Sequence, residues 1–134
     1  MPSTDLQACE PHLREAFMRG RQNYEQAWSP AVLRVTATHR SVEEQQRLWR
    51  IGREFRETRW VVTGRVVTQV DGMSTLSKHN YFPARAIDFC VTWGGKVTWD
   101  SADYEPVGPY MEAEGLIWGG RWTTLKDYPH VELP

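Results

Sequence analysis

The sequence predicts an α+β fold in which helices flank a small antiparallel sheet. Segments with helical spacing and segments of alternating polarity follow one another in a mixed series, without the regular strand–helix–strand order of parallel sheets. The chain has 134 residues, of which 40% are hydrophobic and 25% charged, and seven tryptophans supply large apolar volume. We therefore expect a single domain over residues 1–134 with one core.

A helix and a strand are predicted at the start of the chain. Pro11 suits a first helical turn, where its missing N–H costs nothing. The following apolar residues recur at the spacing of one helix face, which ends at Ser29-Pro30 and consists of Leu13, Phe17, Tyr24 and Trp28. We expect these four side chains in the core. Residues 33–37 alternate apolar and polar side chains, which predicts a half-buried strand.

A second helix is predicted from Ser41 onward. Ser41 followed by Glu44 is a capping box, which marks a helix start. Leu48 and Trp49 indicate the buried face of this helix, and Gly52 is a suitable stop. The next stretch is less regular: residues 60–62 and 66–70 are either short strands or parts of a loop held by apolar side chains.

The second half of the chain begins with a predicted β-hairpin over residues 86–99. Gly94-Gly95 is its two-residue turn, and Asp88 shares one strand face with Ala86 and Cys90.

A third helix is predicted over residues 103–114, stopped by Gly115, although Pro106 and Pro109 fit a first turn better than an interior. Residues 130–133 predict a terminal strand.

Charge and cysteine usage limit the partners that we expect. Sixteen basic residues oppose 17 acidic ones, so nothing draws the chain as a whole toward nucleic acid or an anionic membrane. Arginines cluster between Arg47 and Arg65, and a solvated helix face and loop is favoured over attraction to an anionic cell wall. Cys9 and Cys90 indicate two free thiols. We expect a monomer without membrane insertion that is made in the cytoplasm without a signal peptide.

Asp88 stands out because a carboxylate in the middle of a strand is costly unless it is paired, bound to a metal or solvated. Its small neighbours leave room for a metal, while an exposed sheet face is the alternative. His79 precedes it by nine residues, and His130 follows a second carboxylate, Asp127, by three. Two histidines and one carboxylate make a three-ligand zinc site with an open position for water. A further carboxylate such as Asp127 can then accept the proton of that water.

These motifs resemble those of a known family. Residues 77–88, Ser-Lys-His-Asn-Tyr-Phe-Pro-Ala-Arg-Ala-Ile-Asp, resemble the Ser-x-His…Ala-x-Asp motif of M15 zinc peptidases. That family includes D-alanyl-D-alanine carboxypeptidases and phage L-alanyl-D-glutamate endopeptidases. Residues 115–122 and 127–132 resemble its Trp-Gly-Gly-x-Trp and Asp-x-x-His segments, and residues 39–53 resemble its Arg-Ser…Glu-Gln…Leu…Gly-Arg stretch. The resemblance covers about residues 5–134, with the three motifs in the expected order.

The resemblance implies a hedgehog/DD-peptidase-like fold with one zinc ion held by His79, Asp88 and His130. It implies Asp127 as general acid/base and places Arg40 opposite the substrate carbonyl or carboxylate. A planar, always charged guanidinium suits either group. The alternative for Arg40 is a simple pairing near the start of the second helix.

Other residues of the motifs receive weaker assignments. Ser77 is expected to support a ligand through a hydrogen bond. Trp118 and Trp122 could line the cleft, but at least one is expected in the core. Eight residues separate His79 from Asp88, where the family usually has six with a glycine; we expect the extra two to bulge outward without moving either ligand. Asn80 or Cys90 could intrude, although Cys90 as a ligand is disfavoured.

The function implied is a phage-type endolysin, a bacteriophage enzyme that cleaves the L-alanyl-D-glutamate bond of peptidoglycan stem peptides. It is expected to act on the cell wall after release from the cytoplasm. One alternative is a D,D-carboxypeptidase or D,D-dipeptidase of the same fold. Another is a non-catalytic, hedgehog-like zinc-binding module, against which the presence of Asp127 argues.

Overall fold

The computed structural model describes residues 2–134. Within this range three α-helices alternate irregularly with seven strands: α1 (Pro11–Ala27), β1 (Val32–Ala37), α2 (Val42–Arg50), β2 (Arg53–Arg56), β3 (Arg59–Val62), β4 (Ala86–Trp93), β5 (Lys96–Thr98), α3 (Val107–Glu112), β6 (Ile117–Trp118) and β7 (His130–Glu132). This order confirms the α+β prediction. No helix among the described residues combines the length and apolarity that a bilayer crossing requires.

The main sheet is antiparallel and centred on β4. In the part of the chain that the structure describes, its strands follow the order β1-β4-β7-β6. β7 pairs with the first half of β4, and β5 pairs with the second half of β4 along the same edge. The strands β2 and β3 form a separate hairpin. Gly94 and Gly95 both adopt positive φ in the β4–β5 turn, as a two-residue hairpin turn requires. The hairpin predicted over residues 86–99 and the terminal strand are therefore confirmed.

The core lies where α1 and α3 cover one face of the main sheet. Fully buried apolar side chains meet there, including Leu13, Phe17, Tyr24, Ile87, Phe89, Val91, Met111, Trp118 and Val131. Because side chains alternate along β4, burial of Ile87 and Phe89 on this face turns Asp88 to the other side. The fold thus presents Asp88 away from the main core.

The prediction for the first helix is confirmed except at its end. Pro11 begins α1, and Leu13, Phe17 and Tyr24 are buried. Trp28 is exposed, however, and only stacks against Tyr24 with a centroid distance of 6.4 Å. Trp28 follows the last residue of α1, where the apolar face no longer meets the sheet.

Two other helices differ from their predictions. In α2 the fully buried residue is Gln45, while Leu48 and Trp49 are only half-buried. The reason is that α2 packs against the loop before β4, where polar backbone groups need partners: Gln45 Nε2 donates to the Val70 carbonyl at 2.9 Å.

The third helix is shorter than predicted. It begins only at Val107, because Pro106 and Pro109 lack N–H groups and are tolerated only in a first turn. A 3₁₀ turn at Ser101–Asp103 takes up the preceding residues.

The irregular stretch contains one strand that was predicted as an alternative and one that was missed. Residues 60–62 lie in β3, whose partner β2 spans the missed segment Arg53–Arg56. Residues 66–70 form a loop rather than a strand. The alternation in β2 is masked by three charged residues out of four, so its sequence carries no apolar signal.

Candidate metal centre

Asp88 lies in the N-terminal half of β4, where the strand pairs with neighbours on both sides. In the sheet register it is opposite Ala37 of β1 and opposite His130 of β7. Directly opposite residues of an antiparallel pair place their side chains together on one face. The register of β1 shifts between Val35 and Ala37, which forms a bulge beside the candidate site. Strand pairing alone therefore brings Asp88 and His130 together.

His79 reaches the same point from the loop before β4. Its N–H donates to Ser77 Oγ at 3.2 Å, and its carbonyl accepts from the Arg40 N–H at 2.8 Å. The Asn80 amide donates to the carbonyls of Arg40 and Ser41 at 2.9 and 3.3 Å. The loop is thereby tied to the turn that precedes α2, and Ser77 has the supporting contact that was predicted for it.

The three predicted ligands converge. His79 Nε2 lies 3.1 Å from Asp88 Oδ1, and His130 Nδ1 lies 2.8 Å from the same oxygen. One ligand atom from each of the three residues lies within 4.8 Å of the other two. Both histidines are buried, and the Asp88 carboxylate keeps limited access to solvent. The chain can therefore hold a metal ion here.

In each imidazole, the ring nitrogen that points away from Asp88 has a hydrogen-bond partner of the kind that metal-binding histidines use. His79 Nδ1 lies 2.6 Å from the Thr38 carbonyl, which can only accept, so Nδ1 carries the proton and Nε2 presents a lone pair toward Asp88. His130 Nε2 lies 2.8 Å from Glu132 Oε1, which leaves the lone pair of Nδ1 facing Asp88 in the same way. Two lone pairs against a carboxylate need a positive charge between them. The donor set therefore fits a divalent cation such as zinc, with a backbone carbonyl and a carboxylate orienting the two rings.

The pKa values of Asp88 and His130 also show that this position favours a positive charge. Burial opposes ionisation of Asp88, but the charges and hydrogen bonds of His79 and His130 outweigh it and hold the pKa of Asp88 well below its usual range. Where no metal ion supplies that charge, a proton on His130 Nδ1 does so: burial disfavours the charged form of His130, but hydrogen bonds to Asp88 and Glu132 outweigh it and raise the pKa of His130 to about 10. The carboxylates therefore stabilise a cation at this position.

Arg40 contacts the carboxylate of Asp88, one of the three candidate ligands. Its Nη2 donates to Asp88 Oδ2 at 3.2 Å, and its Nη1 donates to Gln45 Oε1 at 2.8 Å. Its Nε is buried and has no hydrogen-bond partner among residues 2–134. Gln45 is in turn fixed by the Val70 carbonyl. Arg40 therefore combines the two predicted positions: it lines the cleft, and it also forms a hydrogen bond with Gln45 of α2.

Asp127 lies beside the cluster and has the highest solvent access in it. Its Oδ2 is 3.8 Å from His130 Nδ1, and 44% of its side chain is exposed. Partial burial raises the pKa of Asp127, an effect that the positive charge of His130 opposes and the charge of Asp88 reinforces. An upward shift suits a group that must accept a proton and then release it.

Gly119 sets the position of Asp127. The Asp127 N–H donates to the Gly119 carbonyl at 3.0 Å, and a Cβ at position 119 would lie 2.3 Å from the Asp127 carbonyl oxygen. Only glycine permits this approach.

A cleft of about 410 Å³ opens above the three ligands. Trp122 lies in its wall, with its ring centroid 5.1 Å from that of His130, whereas Trp118 is buried in the core. One tryptophan therefore lines the cleft and the other packs, which agrees with the expectation for the pair. Two cationic side chains line the cleft, Arg40 and Lys78, and both are already engaged by acidic partners.

The longer loop between His79 and Asp88 bulges outward, as predicted. Phe82 is exposed, and its ring lies edge-to-face with that of His39, with ring centroids 5.3 Å apart. Asn80 turns its amide toward the α2 turn rather than the ligands. Cys90 is buried as a free thiol, and so is Cys9. None of these residues enters the candidate centre.

Sequence reasoning missed two supporting residues. Glu132 shares a strand face with His130, and the i, i+2 spacing in the predicted terminal strand was the available signal. Its Oε2 also pairs with Lys78 Nζ at 2.8 Å. Gln45 belongs to a matched motif, but a polar residue in a helix gives no sign that it will be fully buried.

Comparisons with known proteins agree with this geometry. The family model Peptidase M15_4, described as D-alanyl-D-alanine carboxypeptidase, matches residues 71–133. This range contains the candidate ligands His79, Asp88 and His130 together with Asp127, but not Arg40. The chain is 33% identical over 109 residues to the peptidoglycan L-alanyl-D-glutamate endopeptidase CwlK of Bacillus subtilis strain 168. That alignment covers 74% of this chain and 59% of CwlK, so the chain spans about three fifths of that relative.

A solved structure shares the fold. The crystal structure of the Serratia marcescens L-Ala D-Glu endopeptidase ChiX matches with a TM-score of 0.66 and 23% identity, over 100% of this chain and 90% of ChiX. At this level of identity the similarity concerns the fold.

Proposed function

Since this chain belongs to the M15 peptidase family, we propose that it is a zinc-dependent peptidase that cleaves the L-alanyl-D-glutamate bond of peptidoglycan stem peptides. The observation that carries the proposal is the convergence of His79, Asp88 and His130 within 4.8 Å, beside the carboxylate of Asp127. CwlK and ChiX are named as enzymes of this specificity.

Zinc held by the three ligands would supply a Lewis acid for the scissile carbonyl and would lower the pKa of a bound water to about 7. Asp127 then accepts the proton of the attacking water, because its carboxylate lies on the Nδ1 side of His130, where the ligand atoms converge, and 44% of its side chain is exposed. The same group returns the proton to the departing amine of D-glutamate. Its raised pKa makes Asp127 a stronger base than an ordinary aspartate, which favours the first of these two proton transfers.

Arg40 has two proposed effects. Its hydrogen bond to Asp88 Oδ2 holds the carboxylate so that Oδ1 faces the two imidazoles. Because Arg40 lines the cleft, its positive charge also favours negative charge on the carbonyl oxygen as the tetrahedral intermediate forms, acting through space and not through a direct hydrogen bond.

The two cationic side chains of the cleft already have acidic partners, and this favours cleavage of an internal bond over removal of a terminal D-alanine. A carboxypeptidase must bind the free carboxylate of its substrate, usually through a cationic side chain. Arg40 is committed to Asp88 and Gln45, and Lys78 is committed to Glu132 and the Leu133 carbonyl. A stem peptide that is cut at an internal bond does not need a cation in the cleft to bind its terminal carboxylate.

Mass spectrometry of digested muropeptides separates the two activities. A new N-terminal D-glutamate supports the proposal, whereas loss of D-alanine alone identifies a carboxypeptidase. Metal analysis should find one zinc per chain, and a chelator should abolish lysis of purified walls until zinc is restored. Zinc binding without any hydrolysis would instead indicate a non-catalytic, hedgehog-like module.

We further propose that the biological role is that of a bacteriophage endolysin, acting as a monomer on the wall after release from the cytoplasm. The order of the three motifs, which resembles phage endopeptidases, supports this role. Expression of the protein inside bacterial cells tests it: the cells should lyse only after the cytoplasmic membrane is permeabilised, and lysis without permeabilisation would contradict this role.

A further inference from the structure

The β2–β3 hairpin exposes apolar side chains in an organised arrangement. Phe55 is 56% and Trp60 39% exposed, and their ring centroids lie 5.4 Å apart across the hairpin. Trp60 also contacts Trp49 edge-on at 5.4 Å, and the Arg50 guanidinium lies 5.8 Å from the Trp60 ring. The aromatic rings are therefore held in place at the surface before any partner arrives, which lowers the entropy cost of binding.

Arginines are concentrated in the hairpin and in the residues on either side of it. Residues 47–65 contain six arginines and two glutamates, although acidic residues slightly outnumber basic ones in the whole chain. Arg56 and Arg59 are directly opposite in the hairpin register, an arrangement that is destabilising without a negative partner. Arg56 pairs with Glu54 at 3.1 Å, but Arg59 forms no ion pair within residues 2–134.

The surface lies next to the candidate active site. Helix α2 separates the two: Gln45 and Leu48 line the cleft, while Trp49 and Arg50 line a cavity of about 510 Å³ beside Trp60. The distance between them is on the order of 10 Å, the diameter of an α-helix. Arg53 joins hairpin and cleft, since its Nη1 donates to the carbonyl of Thr68, a residue of the cleft wall, at 3.0 Å.

The chemistry of the proposed substrate defines what must lie near this surface. In peptidoglycan the L-alanine of each stem is joined through a lactyl group to a sugar of the glycan strand. The scissile bond follows that alanine, so the strand lies about two residue lengths, or roughly 7 Å, from the cleaved carbonyl. Intact neighbouring stems on the same strand carry free carboxylates.

We propose that the hairpin surface, formed by Trp49, Arg50, Phe55, Arg59 and Trp60, binds the glycan strand that carries the stem peptide being cut. The apolar face of a sugar ring packs on Trp60 and Phe55, and Arg59 and Arg50 donate to carboxylates of the neighbouring stem. This inference rests on the proposed function for the identity of the polymer. It assigns to the enzyme a preference for stems that are still attached to glycan.

The test compares binding and cleavage for attached and free stems. Binding is measured by co-sedimentation with purified peptidoglycan stripped of other wall polymers, in an Asp127→Asn background so that the wall is not consumed. Trp60→Ala and Arg59→Gln should each raise the half-saturation concentration about three- to tenfold. In the wild-type background they should lower the ratio of kcat/KM on whole strands to kcat/KM on a free stem peptide by a similar factor.

Trp99→Ala is the matched control, because Trp99 is a 67% exposed tryptophan at the end of another hairpin. Trp99→Ala should change neither the half-saturation concentration nor the ratio of the two kcat/KM values. Arg59→Gln guards against a folding defect in Trp60→Ala, since Arg59 is exposed and forms no ion pair within residues 2–134.

Three results would overturn the inference: unchanged binding in both variants, an equal loss in Trp99→Ala, or an equal loss of cleavage for attached and free stems. Binding to phosphatidylglycerol vesicles that depends on Trp60, with none to peptidoglycan, would identify a membrane surface instead. If no stem is cleaved but binding to peptidoglycan still depends on Trp60 and Arg59, the proposed function fails and the surface assignment holds.

Discussion

Glu132 offers a direct test of how the metal centre is held. Replacing it with glutamine keeps the size of the side chain and an oxygen that can accept from His130 Nε2, but removes the negative charge. In the protein that charge is shared between His130 and Lys78, each at 2.8 Å, in a largely buried position. Glu132→Gln therefore isolates the electrostatic part of the support.

The size of the effect follows from these contacts. A hydrogen bond to a charged group contributes about 1.5–3 kcal/mol, roughly twice a neutral one. The neutral amide should retain about half, so the metal-bound state should lose about 1–1.5 kcal/mol. Each 1.4 kcal/mol is tenfold in a dissociation constant, so zinc should bind about tenfold more weakly. This lies at the lower end of the 10- to 100-fold range typical of such partners.

The assay is a competition titration with a chromogenic zinc chelator, which reports the zinc Kd without any substrate. At saturating zinc the variant should recover most of its hydrolysis, because neither the ligands nor Asp127 have changed. Glu112→Gln is the control, since Glu112 also pairs with a cation, Arg121, but on the exposed surface of α3. An unchanged zinc Kd in Glu132→Gln, or an equal change in both variants, would refute the reasoning.

Three further predictions concern the catalytic base, its support and the thiols. Asp127→Asn should lower kcat about 10²- to 10⁴-fold while metal analysis still finds one zinc per chain; wild-type turnover would exclude Asp127 as the base. Gly119→Ala should lower both activity and thermal stability, because the added Cβ meets the Asp127 carbonyl oxygen at 2.3 Å, and calorimetry with a hydrolysis assay measures the two losses. Neither Cys9 nor Cys90 should react with a thiol reagent at neutral pH until the protein is denatured, because both are buried and burial raises the pKa of Cys9 to about 11.

Periodic and paired features of this chain could be predicted from the sequence. The helix face of α1, the β4–β5 hairpin and the terminal strand each repeat a pattern within a few residues. The candidate ligands could be named because Asp88 breaks the apolar pattern of its strand and because the flanking motifs resemble a family. The meeting of Asp88 and His130 then follows from the pairing of β4 with β7, whereas His79 arrives from the loop before β4.

The rest depends on contacts between distant segments, which a local pattern does not contain. The burial of Gln45 comes from its bonds to Arg40 and Val70, five and 25 residues away. His79 is oriented by a backbone carbonyl, that of Thr38, and a carbonyl leaves no trace in the identity of its residue. The β2 strand was missed because its charged residues hide the alternation, and its pairing with β3 became visible only in the structure.

The candidate centre gathers side chains from four stretches that lie far apart along the chain: the turn after β1, the loop before β4, β4 itself and β7. A bound ion would act as a cross-link among them, so its binding free energy would add to the free energy of unfolding by mass action. An excess of a hundred times the zinc Kd would contribute about 2.7 kcal/mol. Under the proposed function, the survival of this small domain against heat and proteases would therefore rise and fall with the zinc supply of its surroundings.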